Sequence, residues 1–592
     1  MPAKHAPLPV LIVGNGPVGL LTALALAKQD VEVILVARHM RRLGVPKAHA
    51  LSPRSLEICR QLGLPVGEIR RLPAHRNDAR WVRFMTNCSG QLVGTLPYEN
   101  MGLDVLDHTP EMVHNVAQPD LEAIMEYMLD AEVNVDYRLG WTWISHEEVM
   151  RNGETICVST VEDTYTGEEM LIESCLVVGC DGANSRVRKA VGITSEGEET
   201  ADTMITIHFS ADLRPVVGDK VGMLYWILDP EARGFIISYD IEYNHVLIHN
   251  IDPDVTPLAT FTPEKCMDIV RAAIGRDIPV DFNCSMPWIL RRKVANNYYR
   301  GRAVLAGDSA HSFPPTGGLG LNSGIADAHN LAYKIAAAYH GWGHLPTLLK
   351  SYEGERRPVA LHNSIQSVKN GKKIFHLLKA LRNTGPDLPT ARAEMMRALH
   401  DPKQLAYVQA LIQDQAEHFD NLNRHLGYVY EPGWTPQQSQ VYKPQYRRGA
   451  RFAHAWIKSK VPGVLPPLDP VDLSYLDDLS NSKAKDWNFS VLDIVSLGQY
   501  TFFYSGSTWG KKVPSLRQMF AQQGVPIKVV EVGKDFDFVE KKPGKAWVEG
   551  YGINKSGGVL VRPDQHVQCV VAGAELPQRI IDDVLRTLGR QY

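Results

Sequence analysis

The sequence predicts a mixed α/β protein, α+β in overall arrangement: a Rossmann-like domain interleaved with an antiparallel sheet, then a separate C-terminal unit of short strands and helices. Three observations predict it. An apolar run, Val10–Val13, enters a turn with Gly14, Gly16 and Gly19 and then an alanine- and leucine-rich helix, and a second apolar strand, Val31–Val36, follows. Two later apolar strands run into glycine–aspartate turns, Asp181–Gly182 and Gly307–Asp308. Between Thr200 and Tyr299 the pattern changes to alternating, aromatic-rich runs such as Val221–Leu228 and Gly234–Tyr239, which read as strands.

The chain has 592 residues, with 63 basic against 66 acidic side chains, a net charge of −3. That length excludes a small binding module, and 44% hydrophobic with 22% charged residues excludes extensive disorder. The near-neutral balance argues against nucleic acid or an anionic membrane as main partner. No apolar stretch approaches the roughly 18 residues of a membrane span. A small-molecule enzyme is the class that remains. The eight cysteines form no Cys-x-x-Cys pair and read as reduced thiols of a cytoplasmic protein. The polar lead Met1–Pro7 has no secretory character, and the sequons at Asn87, Asn283, Asn488 and Asn554 read as chance matches.

Glycines at 14, 16 and 19 let the backbone turn sharply and approach a pyrophosphate, whose charge sits among unpaired N–H groups at the helix start. The strand before and the strand after supply the context that makes this a dinucleotide fingerprint. The second strand ends at Arg38, where a ribose-binding acidic residue would stand. The adenosine end is then held differently: Arg38, Arg41 or Arg42 could contact ribose or phosphate, or form a solvated cluster. An acid at a strand end can bond a ribityl or ribose hydroxyl, and the glycine-rich start of the helix at Ser323–Ala338 can offer N–H donors to an electron-rich ring. The three elements together suggest FAD. Taken alone, Asp181–Gly182 is also a common turn dipeptide, and Pro314–Pro315 a helix-start signal.

Beyond Ala338 the chain reads as helical and charged to about Arg424, the proline-rich Val461–Pro470 as a linker, and the remainder as a third domain. Three near misses fail on spacing. Gly506–Lys512 is one residue short of a P-loop and lacks the hydroxyl after lysine. Trp141–His146 departs from the flavin halogenase signature, and His146–Glu147 has no second histidine for a metal.

With these elements in this order, the chain resembles the FAD-dependent aromatic hydroxylases, the single-component flavin monooxygenases, in their phenol and dichlorophenol hydroxylase subgroup. Pro46–His49, Asn115–Glu122 and Val561–His566 extend the resemblance over nearly the whole chain. It implies an FAD-binding domain at 1–80, 111–195 and 299–440, the last with a helical extension, and a substrate domain at 81–110 and 196–298. It implies a linker at 441–470 and a thioredoxin-like domain at 471–592, which without Cys-x-x-Cys suits bracing or dimer packing better than redox work.

The resemblance also assigns roles. The FAD pyrophosphate lies near Gly14–Gly19, with Lys47 where the family usually has arginine, keeping the charge but losing the bidentate fork. Gln118 faces the cofactor, Asp181 bridges the FAD and nicotinamide sites, and the Gly307–Asp308 turn meets the ribityl chain. The backbone of Gly320, Leu321 and Asn322 meets the flavin pyrimidine edge, and the Pro315 carbonyl lies near the reacting oxygen. His49 stands where some phenol hydroxylases carry a catalytic aspartate, so it is the candidate base, with a structural loop histidine as the alternative. His311 reads as loop-stabilising, and Tyr225, Trp226 and Trp288 either line the substrate pocket or pack the sheet. The implied reaction uses NADPH or NADH and O2 to hydroxylate a small phenolic substrate, ortho to its hydroxyl, through a flavin hydroperoxide in a dry pocket of a homodimeric enzyme. The rivals are a tailoring monooxygenase (epoxidation, Baeyer–Villiger insertion or dearomatisation) on a larger phenolic, a flavin dehydrogenase without oxygen insertion, and a flavin-bound sensor or scaffold.

Overall fold

Val10–Val13 is buried at every position and forms an inner strand of a six-stranded sheet. Its order is Tyr299–Arg300, Ala303–Leu305, Leu176–Gly179, Val10–Val13, Val33–Ala37, Val135–Leu139. All neighbours are parallel except the outer pair Tyr299–Arg300 and Ala303–Leu305. Burial on both faces explains why the four inner strands read as continuous apolar runs. The computed structural model describes residues 7–41, 44, 46–98, 101–197, 199–251, 256–381, 387–434 and 440–590. The helix Pro17–Ala27 packs between this sheet and the helix Leu319–Tyr339, and nearly all of it is buried.

The aromatic-rich region forms a seven-stranded sheet in the order Asp281–Arg291, Glu199–Ser210, Asn244–Ile251, Gly234–Asp240, Leu224–Ile227, Trp81–Met85, Leu92–Pro97. It is antiparallel except where Leu224–Ile227 pairs parallel with Trp81–Met85, because the 81–97 hairpin arrives from an earlier, separate stretch of chain. Alternation along each strand divides the sheet. One face, with Ile207, Tyr225, Ile227 and Leu247, packs with residues of the helix Pro263–Ile274. The other carries Phe84, Trp226, Phe235 and Tyr239. Tyr225 is fully buried on the helix side, its hydroxyl accepting from Gly222 N at 2.9 Å, which is the packing alternative.

Part of the stretch 441–470, expected as a linker, is core instead. Phe452, Ala453, Trp456 and Ile457 are buried, Trp456–Ser459 joins a small sheet, and Trp456 stacks on Trp487 at 5.1 Å. Only the proline-rich segment after it runs along the surface. The C-terminal unit follows as strand Tyr500–Tyr504, helix Val513–Gln522, strand Ile527–Glu531, helix Lys541–Gly550, strands Gly558–Val561 and Val567–Val571, and helix Pro577–Thr587. The second of these four strands pairs parallel with the first, while the last two are antiparallel and lie on the first strand's other side. Lys512, from the rejected P-loop, donates to the carbonyls of Gly573 and Glu575 and so closes a loop. Trp141–Arg151 is a strand, with Trp143 Nε1 donating to Ser159 Oγ at 3.2 Å. Among the described residues no helix is long and apolar enough to cross a membrane.

Candidate active site

The carboxyl ends of three adjacent strands, Ala303–Leu305, Leu176–Gly179 and Val10–Val13, run into the Gly307, Asp181 and Gly14 turns. This is where open parallel sheets bind ligands. Two of the fingerprint glycines are required by the protein itself. A Cβ on Gly14 (φ +105°) would lie 2.5 Å from the Cys180 carbonyl oxygen, and one on Gly19 1.9 Å from that of Gly14. A Cβ on Gly16 would meet nothing within 4 Å, so this glycine borders open space. The helix behind it has no side-chain cap and no acidic residue in its first turn. Its free N–H groups and positive dipole end fit a pyrophosphate.

The Gly307–Asp308 turn packs against this helix: a Cβ on Gly307 would lie 2.8 Å from Val18 Cγ2, and one on Gly324 2.5 Å from the same atom. Asp308 is exposed at this turn. Desolvation pushes its carboxyl above the usual carboxylate range, with His311 and Lys47 pulling the other way. Lys47 is exposed, and next to it Ala48 N donates to Gln118 Oε1 at 3.4 Å. Gln118 and Lys47 thus belong to one wall. Asp181 Oδ2 accepts from the N–H groups of Arg186 (2.6 Å) and Val187 (3.1 Å), which is the turn-capping role, while its Oδ1 is buried without a partner. Arg38 is exposed and donates to His39 Nε2 at 3.1 Å; Arg42 lies outside the described residues.

The helix Leu319–Tyr339 also starts uncapped, after Gly318 at φ +61°, and a Cβ on Gly320 would meet nothing within 4 Å. The Asn322 side chain is fully used inside the protein. Its Oδ1 accepts from Ser52 N (2.9 Å) and Ser55 Oγ (2.6 Å), and its Nδ2 donates to the carbonyls of Ala50 (3.0 Å) and Gly318 (2.7 Å). Only backbone donors at Gly320–Asn322 remain for a ligand. The Pro315 carbonyl accepts from Gly318 N at 3.1 Å within the loop. Two uncapped helix starts, an exposed acid at the Gly307 turn, a spare carboxylate oxygen and two glycines facing space together fit FAD.

Sequence reasoning missed Asp327, the fully buried acid that holds this loop. Its Oδ2 accepts from Gly307 N (3.2 Å) and pairs with His311 Nε2 (2.7 Å), while Oδ1 accepts from Arg356 Nε (2.7 Å). The arginine and His311 hold its carboxyl below the usual range against the opposing effect of burial. The available signal was the lone acid of a largely buried helix, which burial obliges to find a partner.

His49 borders the aromatic face. Its Nε2 lies 2.9 Å from the Tyr98 hydroxyl, which donates to Asn115 Oδ1 at 3.1 Å, and its ring meets Tyr239 edge-on at 6.2 Å. Burial lowers its pKa to about 4, so it is neutral at pH 7. Trp226 packs on Phe235 at 4.7 Å and on Phe84 at 6.2 Å, with Nε1 buried and unpartnered. Trp288 Nε1 donates to Thr206 Oγ1 at 2.9 Å. The structure brings His49, Trp226 and Trp288 to the side of the sheet that carries Tyr239, and leaves Tyr225 on the other.

Sheet, turns and helix starts define a dinucleotide-binding flavoprotein. The family model described as "FAD binding domain" matches residues 7–366, so the chain belongs to that family. The tetracenomycin A2 monooxygenase-dioxygenase of Streptomyces glaucescens is 27% identical, covering 95% of this chain and 92% of its own. The 2,4-dichlorophenol 6-monooxygenase of Cupriavidus pinatubonensis is 25% identical over 98% and 96%. The crystal structure of the flavin-dependent monooxygenase PieE with FAD and substrate superposes with a TM-score of 0.85 at 25% identity, covering 100% of both chains. The protein is an FAD-dependent monooxygenase, an oxidoreductase with oxygen and a reductant for the flavin as co-reactants.

Proposed function

We propose that this enzyme hydroxylates a phenolic ring, ortho to its hydroxyl, with NADPH or NADH as reductant. The observation that carries the proposal is His49: a neutral imidazole, hydrogen-bonded on one nitrogen, beside an aromatic sheet face and next to the segment that borders the FAD cleft. Tyr98 donates its proton to Asn115 and so receives one from His49 Nε2, which leaves Nδ1 with its lone pair. Nδ1 can then accept a hydrogen bond from a substrate hydroxyl, which makes the ring more electron-rich and easier to attack. Bound FAD supplies hydride acceptance and oxygen activation. Gly16, Gly320 and the two helix starts bind it, and the aromatic face shields the reacting ring from water.

The relatives act on substrates of two sizes. A polycyclic phenol is the second reading, supported by the tetracenomycin A2 monooxygenase-dioxygenase that matches 95% of the chain. The C-terminal unit is read as a thioredoxin-like domain, supported by its strand–helix–strand–helix–strand–strand–helix order, and as a brace in a cytoplasmic homodimer. The test is reductant oxidation by the FAD-loaded protein with simple phenols, catechols and polycyclic phenols, with product mass and peroxide followed in parallel. Stimulated oxidation with a product one oxygen heavier is expected. Stimulation that yields only peroxide with every phenol, or none at all, would overturn the proposal.

A further inference from the structure

The sequence motif Val561–His566 remains unused by the FAD cleft and the aromatic face. It forms the connection between the last two strands of the C-terminal unit, and residues 562 and 564–566 are buried against the FAD-binding domain. Its contacts reach two helices of that domain. On the helix Pro53–Gln61, Arg54 donates to Gln565 Oε1 (2.6 Å) and to the Asp564 carbonyl (2.9 Å), and Gln61 Nε2 donates to the Pro563 carbonyl (2.9 Å). On the helix Leu319–Tyr339, Asn330 Nδ2 donates to Asp564 Oδ2 (2.9 Å). These two helices also meet at their starts, where Asn322 binds Ser52 and Ser55.

A second path runs through the helix Leu345–Ala380. Arg562 donates two bonds to the Glu355 carboxylate (2.8 and 2.9 Å), which also receives Lys334 and Asn330. The next residue, Arg356, donates to Asp327, and Asp327 receives the Gly307 N–H of the cofactor turn. Buried charges at a domain contact cost desolvation energy unless each is paired, and such pairing fixes one geometry. Here the geometry fixed is that of the turn.

We propose that the Arg562–His566 loop is a positioning element of the FAD site: it locks Glu355–Arg356 and the helices Pro53–Gln61 and Leu319–Tyr339, so that Asp327 presents the Gly307–Asp308 turn to the cofactor. The C-terminal unit is thereby part of the cofactor site without touching it. This rests on FAD binding alone and holds whichever phenol is the substrate.

The test is titration of the apoprotein with FAD, read by flavin fluorescence, for Arg562→Met, Arg562→Lys and Arg76→Met. Arg76 is the control. Its buried guanidinium pairs with Asp478 (2.6 Å), on neither of these two helices and outside the Glu355–Arg356 path. Arg562→Met is expected to weaken FAD binding tenfold or more, with partial recovery in Arg562→Lys. Arg76→Met should lower the melting temperature comparably while FAD affinity stays within twofold. Normal FAD affinity in Arg562→Met, or an equal loss in Arg76→Met, would overturn the proposal. Should Arg562→Met fail to fold, hydrogen exchange on the wild-type protein decides by reciprocity. FAD must then slow exchange at 561–567 more than at 527–531, and equal or absent protection refutes the coupling.

Discussion

At the residue scale, His49 carries the sharpest expectation. His49→Ala removes the hydrogen-bond acceptor while leaving both glycine turns intact, so FAD should still bind and hydroxylation should fall by roughly 10-fold or more. Product formation per flavin, measured by single-turnover mixing, checks this. Because burial holds the imidazole pKa at about 4, the wild-type protein should show no His49-linked loss of rate between pH 8 and 5. A break near pH 6.5 in the wild-type profile that vanishes in His49→Ala would contradict the buried geometry. His49 itself was legible from its neighbours in the sequence. Its partners Tyr98 and Asn115 were not, because they converge on it from 49 and 66 positions away.

At the element scale, the two ends of the fingerprint turn separate binding from folding. Gly16 has ordinary helix-start backbone angles (φ −68°, ψ 177°) and faces space, so Gly16→Val should fold normally and lose FAD affinity. Gly19→Ala would drive a Cβ into the Gly14 carbonyl, so the turn itself should fail and the melting temperature drop with or without FAD. Thermal unfolding beside FAD titration distinguishes the two outcomes. This turn was readable because its constraint is local: strand, glycines and helix lie within 18 residues, Val10–Ala27. The roofing sheet was readable from alternation. Alternation does not say which face a later helix covers, and so it left open that Tyr225 packs on the helix side. The buried Phe452–Ile457 was masked by the proline-rich run after it, whose turn signals spoke for the whole stretch.

At the scale of the whole molecule, the buried histidines set the acid limit. His49, His245, His249 and His425 are lowered to about 4, and His114, His418, His454 and His566 to about 3, in each case chiefly by burial. Each has a folded pKa below its unfolded value of about 6.5, so the unfolded chain binds more protons in that interval. Their contribution to stability is therefore complete above pH 6.5 and declines as the pH falls toward 4. Each group costs up to about 1.4 kcal/mol per pH unit in that window. Denaturant midpoints should fall steeply from pH 6.5 to 4.5 with proton uptake on unfolding; a flat profile would mean these rings are solvated. Such a cluster of neutral histidines cannot be read from the sequence, since each owes its environment to residues far along the chain.

The order of strands in the six-stranded sheet also bears on the birth of the protein. Val10–Val13 needs Leu176–Gly179 beside it, and that strand in turn needs Ala303–Leu305. At translation speeds of about 5–20 residues per second, the first strand waits on the order of 15 to 60 s for the third to leave the ribosome. During that interval a continuous apolar ribbon has no finished surface to cover it. Chaperone demand should therefore peak in mid-synthesis and fall once residue 305 has emerged, well before the C-terminal unit exists.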